Sequence, residues 1–500
     1  MTALEWLGTG GNILALILVL FAAMATVPAL VMSMQFLLVP FHARINNYRY
    51  AAPYTPNVAV IVPAWNEGAV IGGSIDRLMG LDYPEGRLRI YVVDDASTDN
   101  TPEVVRQKEL EYPGAVYHLR REKGGQGKAH TLNHGIRHVL SEDWMEAMLI
   151  MDADVIYLPD SLRKMTRHLA DPEVGAVTAY IREGSQDKTY LTRFIAFEYV
   201  LSQVGSRRAQ NVLGALACLA GGAQLHSRTN IEQLGGAIDT SSLAEDTVTT
   251  METQLAGRRV VFEPHAVVLA EEPQRVEALW KQRLRWARGN VQLTERYKHV
   301  WFRPAKQHKL GSIAFGLIWF SVFLLPALMI LASVGLTGLY LLDSSLAMKV
   351  FQPLWITVSA SYIYSMVLAM LLDPRTGLRS WREVILFPGV ISLVAMLEAF
   401  FPGLLTEDVP GLFGVVFAPE VISIWYLSTF AWLSLCMLAA WGVRLVDRSR
   451  WGRWLSPFLV YLVGFGPMLC AITFDAYVKE WRGAAMTWDK TEKVGRVLTA

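Results

Sequence analysis

Leu88-Arg89-Ile90-Tyr91-Val92-Val93-Asp94-Asp95-Ala96-Ser97-Thr98-Asp99 decides the fold of this chain. Its first six residues are a short, mostly apolar run, and the run closes on acidic and small polar residues. A helix start follows at once, with Asn100 or Thr101 as cap and Pro102 in the first turn. The same strand-then-acid pattern recurs on both sides. Upstream, Val58-Ala59-Val60-Ile61-Val62-Pro63 reads as a buried parallel strand leading to Asn66-Glu67. Downstream, Met148-Leu149-Ile150-Met151 ends at Asp152-Ala153-Asp154. Strands alternating with helices predict a mostly parallel, doubly wound α/β sheet, whose ligands bind outside the carboxyl ends of the strands. Three acidic or Asn-Glu clusters fall at three such ends.

Outward from this core the composition changes. No Asp, Glu, Lys or Arg occurs between Trp6 and Phe41, more than the roughly 20 apolar residues a bilayer span needs. Glu5 before it and Arg44 and Arg49 after it distinguish a retained anchor from a cleaved signal peptide. From about Pro53 to Lys309 charge is dense. Apolar segments then return at Leu310–Leu342, Phe351–Leu372, Val384–Leu405, Gly411–Val443 (interrupted by Pro419-Glu420) and Leu455–Phe474. The expected organisation is an anchor over 1–48, an α/β domain over 49–309, transmembrane or interfacial helices over 310–478 and a cytoplasmic tail over 479–500. Arginines cluster at 375, 379 and 382, at 444, 448, 450 and 453, and beside the anchor, so the positive-inside rule puts these loops and the α/β domain in the cytoplasm of an inner or plasma membrane protein.

Across the 500 residues, 46 Lys and Arg offset 45 Asp and Glu, which leaves no electrostatic footprint for nucleic acid and excludes a disordered polyelectrolyte. The three cysteines, Cys218, Cys436 and Cys470, are too few and too scattered for a disulfide framework or a zinc site.

Two carboxylates one residue apart on a turn after a strand, Asp152 and Asp154, offer oxygen to one hard cation. Mg²⁺ or Mn²⁺ held by one or two carboxylates and substrate phosphates would neutralise a departing diphosphate. Alone, such a tripeptide is more often a solvated turn; three strand ends together favour the site. Gly124-Gly125-Gln126-Gly127-Lys128 lacks phosphate-loop spacing, and it reads either as a surface turn or as a glycine turn delivering Lys128 to a phosphate. Asp246 precedes a helical stretch and reads as a helix cap or as a functional acid. Gln282, Arg285 and Trp286, at i, i+3 and i+4, share one helical face, which suits a sugar or an amphipathic helix at a membrane surface.

Asp94-Asp95, Asp152-Ala153-Asp154, Glu245-Asp246 and Gln282-Arg283-Leu284-Arg285-Trp286 occur in the order and spacing of the processive family 2 glycosyltransferases, and the chain resembles that family over about Val58 to Asn290. The family includes the cellulose, chitin, hyaluronan and poly-N-acetylglucosamine synthases. The resemblance implies a GT-A type fold and inverting transfer from a UDP-sugar to a growing polysaccharide, passed through the enzyme's own membrane channel. It further implies that Glu67, Asp94 and Asp95 hold the uridine, that Asp152 and Asp154 hold the metal, and that Lys128 lies near the nucleotide. Asp246 corresponds to the general base, while Gln282, Arg285 and Trp286 correspond to the acceptor and pyrophosphate site. Trp488-Asp489-Lys490-Thr491-Glu492-Lys493 is similar to a gating-loop motif, in which Trp488, Thr491 and Lys493 would close over the nucleotide.

The stretch 278–287 is similar to poly-β-1,6-N-acetylglucosamine synthases, whereas Cys218-Leu219-Ala220-Gly221-Gly222-Ala223 departs from that group and from cellulose synthases. An accessory export or regulatory subunit remains open, as does a non-processive enzyme that adds one sugar to a lipid. If all five later segments cross, the tail ends outside, where it cannot close over a cytoplasmic nucleotide. Either one segment fails to cross or the N-terminal stretch crosses twice, and the 36 residues from Trp6 to Phe41 are short for two spans and a turn, which favours the former. Val384–Leu405 and Leu455–Phe474 are the candidates, and the arginine loops favour the second.

Overall fold

The computed structural model describes residues 10–45 and 53–485. They divide into two compact units, one of residues 37–45, 53–274 and 289–316, the other of 10–36, 275–288 and 317–484.

The first unit is built on one eight-stranded sheet. Its strands are β1 (Val58–Ala64), β2 (Leu88–Asp94), β3 (Val116–Arg120), β4 (Ala147–Ile150), β5 (Val155–Tyr157), β6 (Val174–Glu183), β7 (Gln224–Ser227) and β8 (Arg259–Ala270). They lie in the order β3-β2-β1-β4-β7-β6-β8-β5. The half from β3 to β4 is wholly parallel, and β7 and β5 introduce the antiparallel pairs. This is a GT-A-like α/β fold.

Strand periodicity explains why both faces of the sheet carry helices. Val58, Val60 and Val62 pack with Ile71, Ile75 and Leu78 on one face, while Ala59 and Ile61 pack with Leu132 and Ile136 on the other. Each of the valine, leucine and isoleucine side chains contributes about 1.5–3 kcal/mol when fully buried. The Lys128–Leu140 helix seats closely because residue 135 is glycine; a Cβ there would stand 2.7 Å from Val93 and 3.0 Å from Ile61. That seat fixes where the first residue of the helix, Lys128, begins. Register aligns the strand ends: Ala64 faces Asp94, and Asp94 faces Arg120.

The second unit is helical. Among the described residues, four helices are long and apolar enough to cross a membrane: Ile13–Ile45 (counted with its turn at Met24-Ala25), Leu325–Leu342, Ser344–Leu372 and Pro419–Asp447. Two expected segments are differently bounded. Gly411–Val443 is not one interrupted span, because Pro419 sits in the first turn of a helix and starts it. Leu310–Leu342 splits into Ile313–Phe323 and Leu325–Leu342, with Pro326 in the first turn of the second.

Both candidate non-crossing segments are bent. Val390–Phe400 and Leu404–Leu412 meet at 95°, and Gly452–Val463 and Phe465–Trp481 at 96°. Gly389 and Gly464, both at positive φ, let the two breaks touch backbone to backbone; a Cβ on Gly389 would lie 2.4 Å from Val463. Polar contacts tie both ends of the second pair to one helix. Glu277, in the Val276–Arg296 helix, accepts from Arg444 Nε at 2.8 Å and from Arg448 Nη2 at 2.7 Å. Trp280 Nε1 donates to Asp475 at 2.9 Å, and Arg288 pairs with Glu480. The chain therefore leaves this helix at Asp447 and is back beside it by Glu480. Glu277 and Arg288, eleven residues apart, are separated by about 16 Å of helix, well short of a hydrocarbon core of about 30 Å. Both ends of the Gly452–Trp481 pair therefore meet this one helix.

Candidate active site

The loops after β1 and β2 hold each other. Thr98 N–H donates to Asn66 Oδ1 at 2.8 Å, Asn66 N–H to Ser97 Oγ at 2.9 Å, and Glu67 N–H to Thr101 Oγ1 at 2.8 Å. Asn66 and Ala96 both adopt positive φ, at 55° and 57°. Non-glycine residues in that region cost of order 1–3 kcal/mol each, and such strain clusters at functional sites. Asp99 rather than Asn100 supports the following helix, since its Oδ1 accepts from Thr101 N–H at 3.0 Å.

Asp94 is wholly buried. It accepts from Ser97 N–H at 2.8 Å and Arg120 Nη1 at 3.0 Å, with His118 Nε2 at 3.4 Å. Burial by itself raises its carboxyl; His118, Ser97 and Arg120 override this and hold it below the ordinary carboxylate range. Asp95 pairs with Arg121, and its Oδ2 accepts from Gly125 N–H at 2.9 Å. These two carboxylates organise the glycine turn and the loop after β2. Sequence reasoning missed Arg120 and Arg121, although the pair directly follows the run Val116-Tyr117-His118-Leu119 that forms β3.

Asp152, Lys128, Glu245 and Asp246 come together from three elements. Lys128 Nζ lies 2.5 Å from Asp152 Oδ1, 3.6 Å from Glu245 Oε1 and 3.4 Å from Gly221 O. Burial works against its charge, but Asp152, Glu245 and Asp246 outweigh it and hold the ammonium above its usual range. Asp246 Oδ1 accepts from Thr247 N–H at 2.7 Å in the first turn of the Glu245–Leu255 helix. Gly221 and Gly222 leave the space between these groups open. A Cβ on Gly221 would stand 3.1 Å from Asp246 Oδ2 and 3.4 Å from Lys128 Nζ, and one on Gly222 3.3 Å from Asp152 Oδ2. The glycine doublet was visible in the sequence, but its spacing role was not.

Cys218 borders the same site. Thr247 Oγ1 donates to its sulfur at 3.2 Å, and burial followed by the Asp246 charge pushes the thiol up, so it stays protonated. Arg207, on the π-helical turn Val200–Arg207, is electrostatically coupled to both Cys218 and Asp246. Asp154 is buried immediately before β5. Asp152 beside the glycine cradle, with Asp154 two residues on, offers hard carboxylate oxygen of the kind a divalent cation takes when it keeps waters and substrate phosphates as its other ligands. The donor set fits Mg²⁺ or Mn²⁺.

In the second unit, the Val276–Arg296 helix carries Gln282, Arg285 and Trp286 as the spacing predicted. Gln282 is buried, Arg285 half-buried and Trp286 exposed, with the buried Arg283 stacked 4.1 Å from the Trp286 ring centre. Trp488, Thr491 and Lys493 lie outside the described residues.

The sequence profile of glycosyltransferase-like family 2 matches residues 56–289. A β-monoglucosyldiacylglycerol synthase of Synechocystis is 31% identical over 249 residues, half of each chain. A poly-β-1,6-N-acetyl-D-glucosamine synthase of Staphylococcus epidermidis is 27% identical over 234 residues, 46% of this chain and 54% of its own. The chain thus spans about half the length of these curated relatives. Among solved structures, a mannosyltransferase from Pyrobaculum calidifontis in complex with GDP-Man and Mn²⁺ is 25% identical with a TM-score of 0.48, covering 70% of this chain and 99% of its own.

Proposed function

We propose that this chain, whose residues 56–289 match the profile of glycosyltransferase-like family 2, is a hexosyltransferase that polymerises a UDP-sugar, UDP-N-acetylglucosamine or UDP-glucose, into a β-linked exopolysaccharide. The observation that carries this reading is the convergence of Asp152, Lys128 and Asp246 around the open backbone of Gly221 and Gly222. Inverting transfer needs a base on the acceptor side and an assisted leaving group opposite it.

In this reading Asp246 takes the proton from the acceptor hydroxyl. Asp152 and Asp154 would hold Mg²⁺ or Mn²⁺, which when bound supplies charge neutralisation on the diphosphate. Lys128 hands part of its pairing from Asp152 to phosphate when the donor enters. Glu67 and Asp95 border the nucleotide, while buried Asp94 sets the loop that receives it. Gln282, Arg285 and Trp286 serve the acceptor and pyrophosphate, and Trp488, Thr491 and Lys493 close over the nucleotide.

The catalytic domain is cytoplasmic and the product leaves through the helical unit. Support for that path comes from the buried Trp355 Nε1, Ser359 Oγ and Ser365 Oγ on the Ser344–Leu372 helix, which have no hydrogen-bond partner among the described residues. Unpaired donors at that depth are costly without a polar guest.

The likeness to a glucolipid synthase favours a second reading, transfer of one sugar to a lipid. Purified protein in lipid, given a panel of UDP-sugars and divalent metal, separates the two by product size and by digestion with linkage-specific hydrolases. Long chains support polymerisation. A single-sugar lipid as the end product refutes it.

A further inference from the structure

Two sets of arginines stand out in the helical unit. Arg275, Arg288, Arg444 and Arg448 pair with Asp447, Glu480 and Glu277. Arg375, Arg379, Arg382, Arg450 and Arg453 are exposed and make no ion pair among the described residues. Both groups of this second set directly follow the end of a spanning helix, Ser344–Leu372 or Pro419–Asp447.

The same stretches expose large apolar side chains: Leu378 at 71%, Trp381 at 51%, Trp451 at 70%, Trp454 at 77% and Phe458 at 63%. Their acidic residues are turned inward. Asp373 caps its own turn by accepting from Thr376 N–H, Glu383 accepts from Tyr461 O–H at 2.5 Å, and Asp447 accepts from Ser456 O–H at 3.0 Å. The Glu383–Tyr461 bond and the Gly466 N–H to Phe387 O bond, 3.0 Å, join the two stretches into one rim.

Five exposed guanidinium groups without counter-charge, interleaved with exposed indoles, are complementary to phosphate set at the edge of an apolar phase. Arginine binds phosphate through its planar fork, and tryptophan settles at the headgroup level of a bilayer. We propose that this rim is a binding surface for the headgroups of anionic phospholipids. It does not depend on which sugar the enzyme transfers.

The test uses the purified full chain, equilibrated with equal amounts of phosphatidylglycerol and phosphatidylcholine and then stripped of loosely held lipid, with retained lipids counted by mass spectrometry. Retained phosphatidylglycerol should exceed phosphatidylcholine by at least about fivefold, the weight of a single near-surface arginine. The excess should shrink in 0.5 M salt, where the screening length is only about 4 Å. It should approach unity in a variant with all five arginines changed to glutamine. If that variant does not fold, Arg450→Gln with Arg453→Gln must still lower the excess. A ratio of one in the native protein overturns the proposal and leaves the rim to an acidic protein. An excess that survives in the folded variants, or that ignores salt, also overturns it.

Discussion

Asp246→Asn removes one lone pair from the centre of the proposed chemistry while sparing the architecture around it. The Thr247 N–H bond to Asp246 Oδ1, 2.7 Å in the native protein, needs only an acceptor oxygen, which the substituted amide still offers. The start of the Glu245–Leu255 helix therefore keeps its support. That contact turns the new amide NH₂ towards Gly221 and the side of the Lys128 ammonium, where the native carboxylate presents an oxygen. No acceptor remains for the hydroxyl proton. General bases contribute about 10²–10⁴-fold, or roughly 2.7–5.5 kcal/mol of barrier. Lys128 keeps Asp152 at 2.5 Å and Glu245 at 3.6 Å, so donor binding should change little. The assay pairs UDP titration by calorimetry with release of UDP and growth of polymer. UDP affinity within about threefold of the native value, and elongation below about a hundredth of the native rate, are expected. Elongation above that level would refute the assignment of Asp246 as the base.

Activity should require Mg²⁺ or Mn²⁺, because Asp152 and Asp154 supply oxygen ligands only; full turnover in excess chelator with metal content verified removes them from the mechanism. The tail is expected in the cytoplasm, with Thr491→Ala and Lys493→Ala lowering turnover more than expression; labelling of a C-terminal tag from outside intact cells contradicts this. Glu277 gives a pH-dependent stability term. Burial raises its carboxyl, but Arg448 and Arg444 override that and hold it at about 2 against an ordinary 4.5. Its folded value lies below the unfolded one, so the stabilisation is full above about pH 4.5 and is lost as pH falls towards 2. The difference in melting temperature between native protein and Glu277→Gln should be constant from pH 7 to 5 and narrow below that; a difference that widens on acidification contradicts the pairing.

The parallel half of the sheet was legible because β1, β2 and β4 are apolar runs that stop at acids, and a strand buried on both faces has no other way to read. Strands β6, β7 and β8 were not, since their pairing depends on partners more than 30 residues distant. Asp152, Asp246 and Lys128 could be picked out by type and position. What type and position do not encode is orientation: burial of Asp94 follows from its register opposite Arg120, and the part played by Gly221 and Gly222 lies in what their missing side chains leave open. In the helical unit hydropathy located the apolar segments, but it does not record direction. The ties of the Gly452–Trp481 pair to the Val276–Arg296 helix come instead from Arg444, Arg448 and Glu480.

Polymerisation is tested most directly by a challenge during synthesis. The protein in lipid is started on labelled UDP-sugar, a large excess of unlabelled donor and fresh enzyme-free acceptor is added within the first turnovers, and product length is read against time. The account predicts that labelled chains already begun grow long while added acceptor stays unextended, with long products present before most enzyme molecules have started a second chain. Label that stays in products one sugar longer than the acceptor, at every time point, contradicts it.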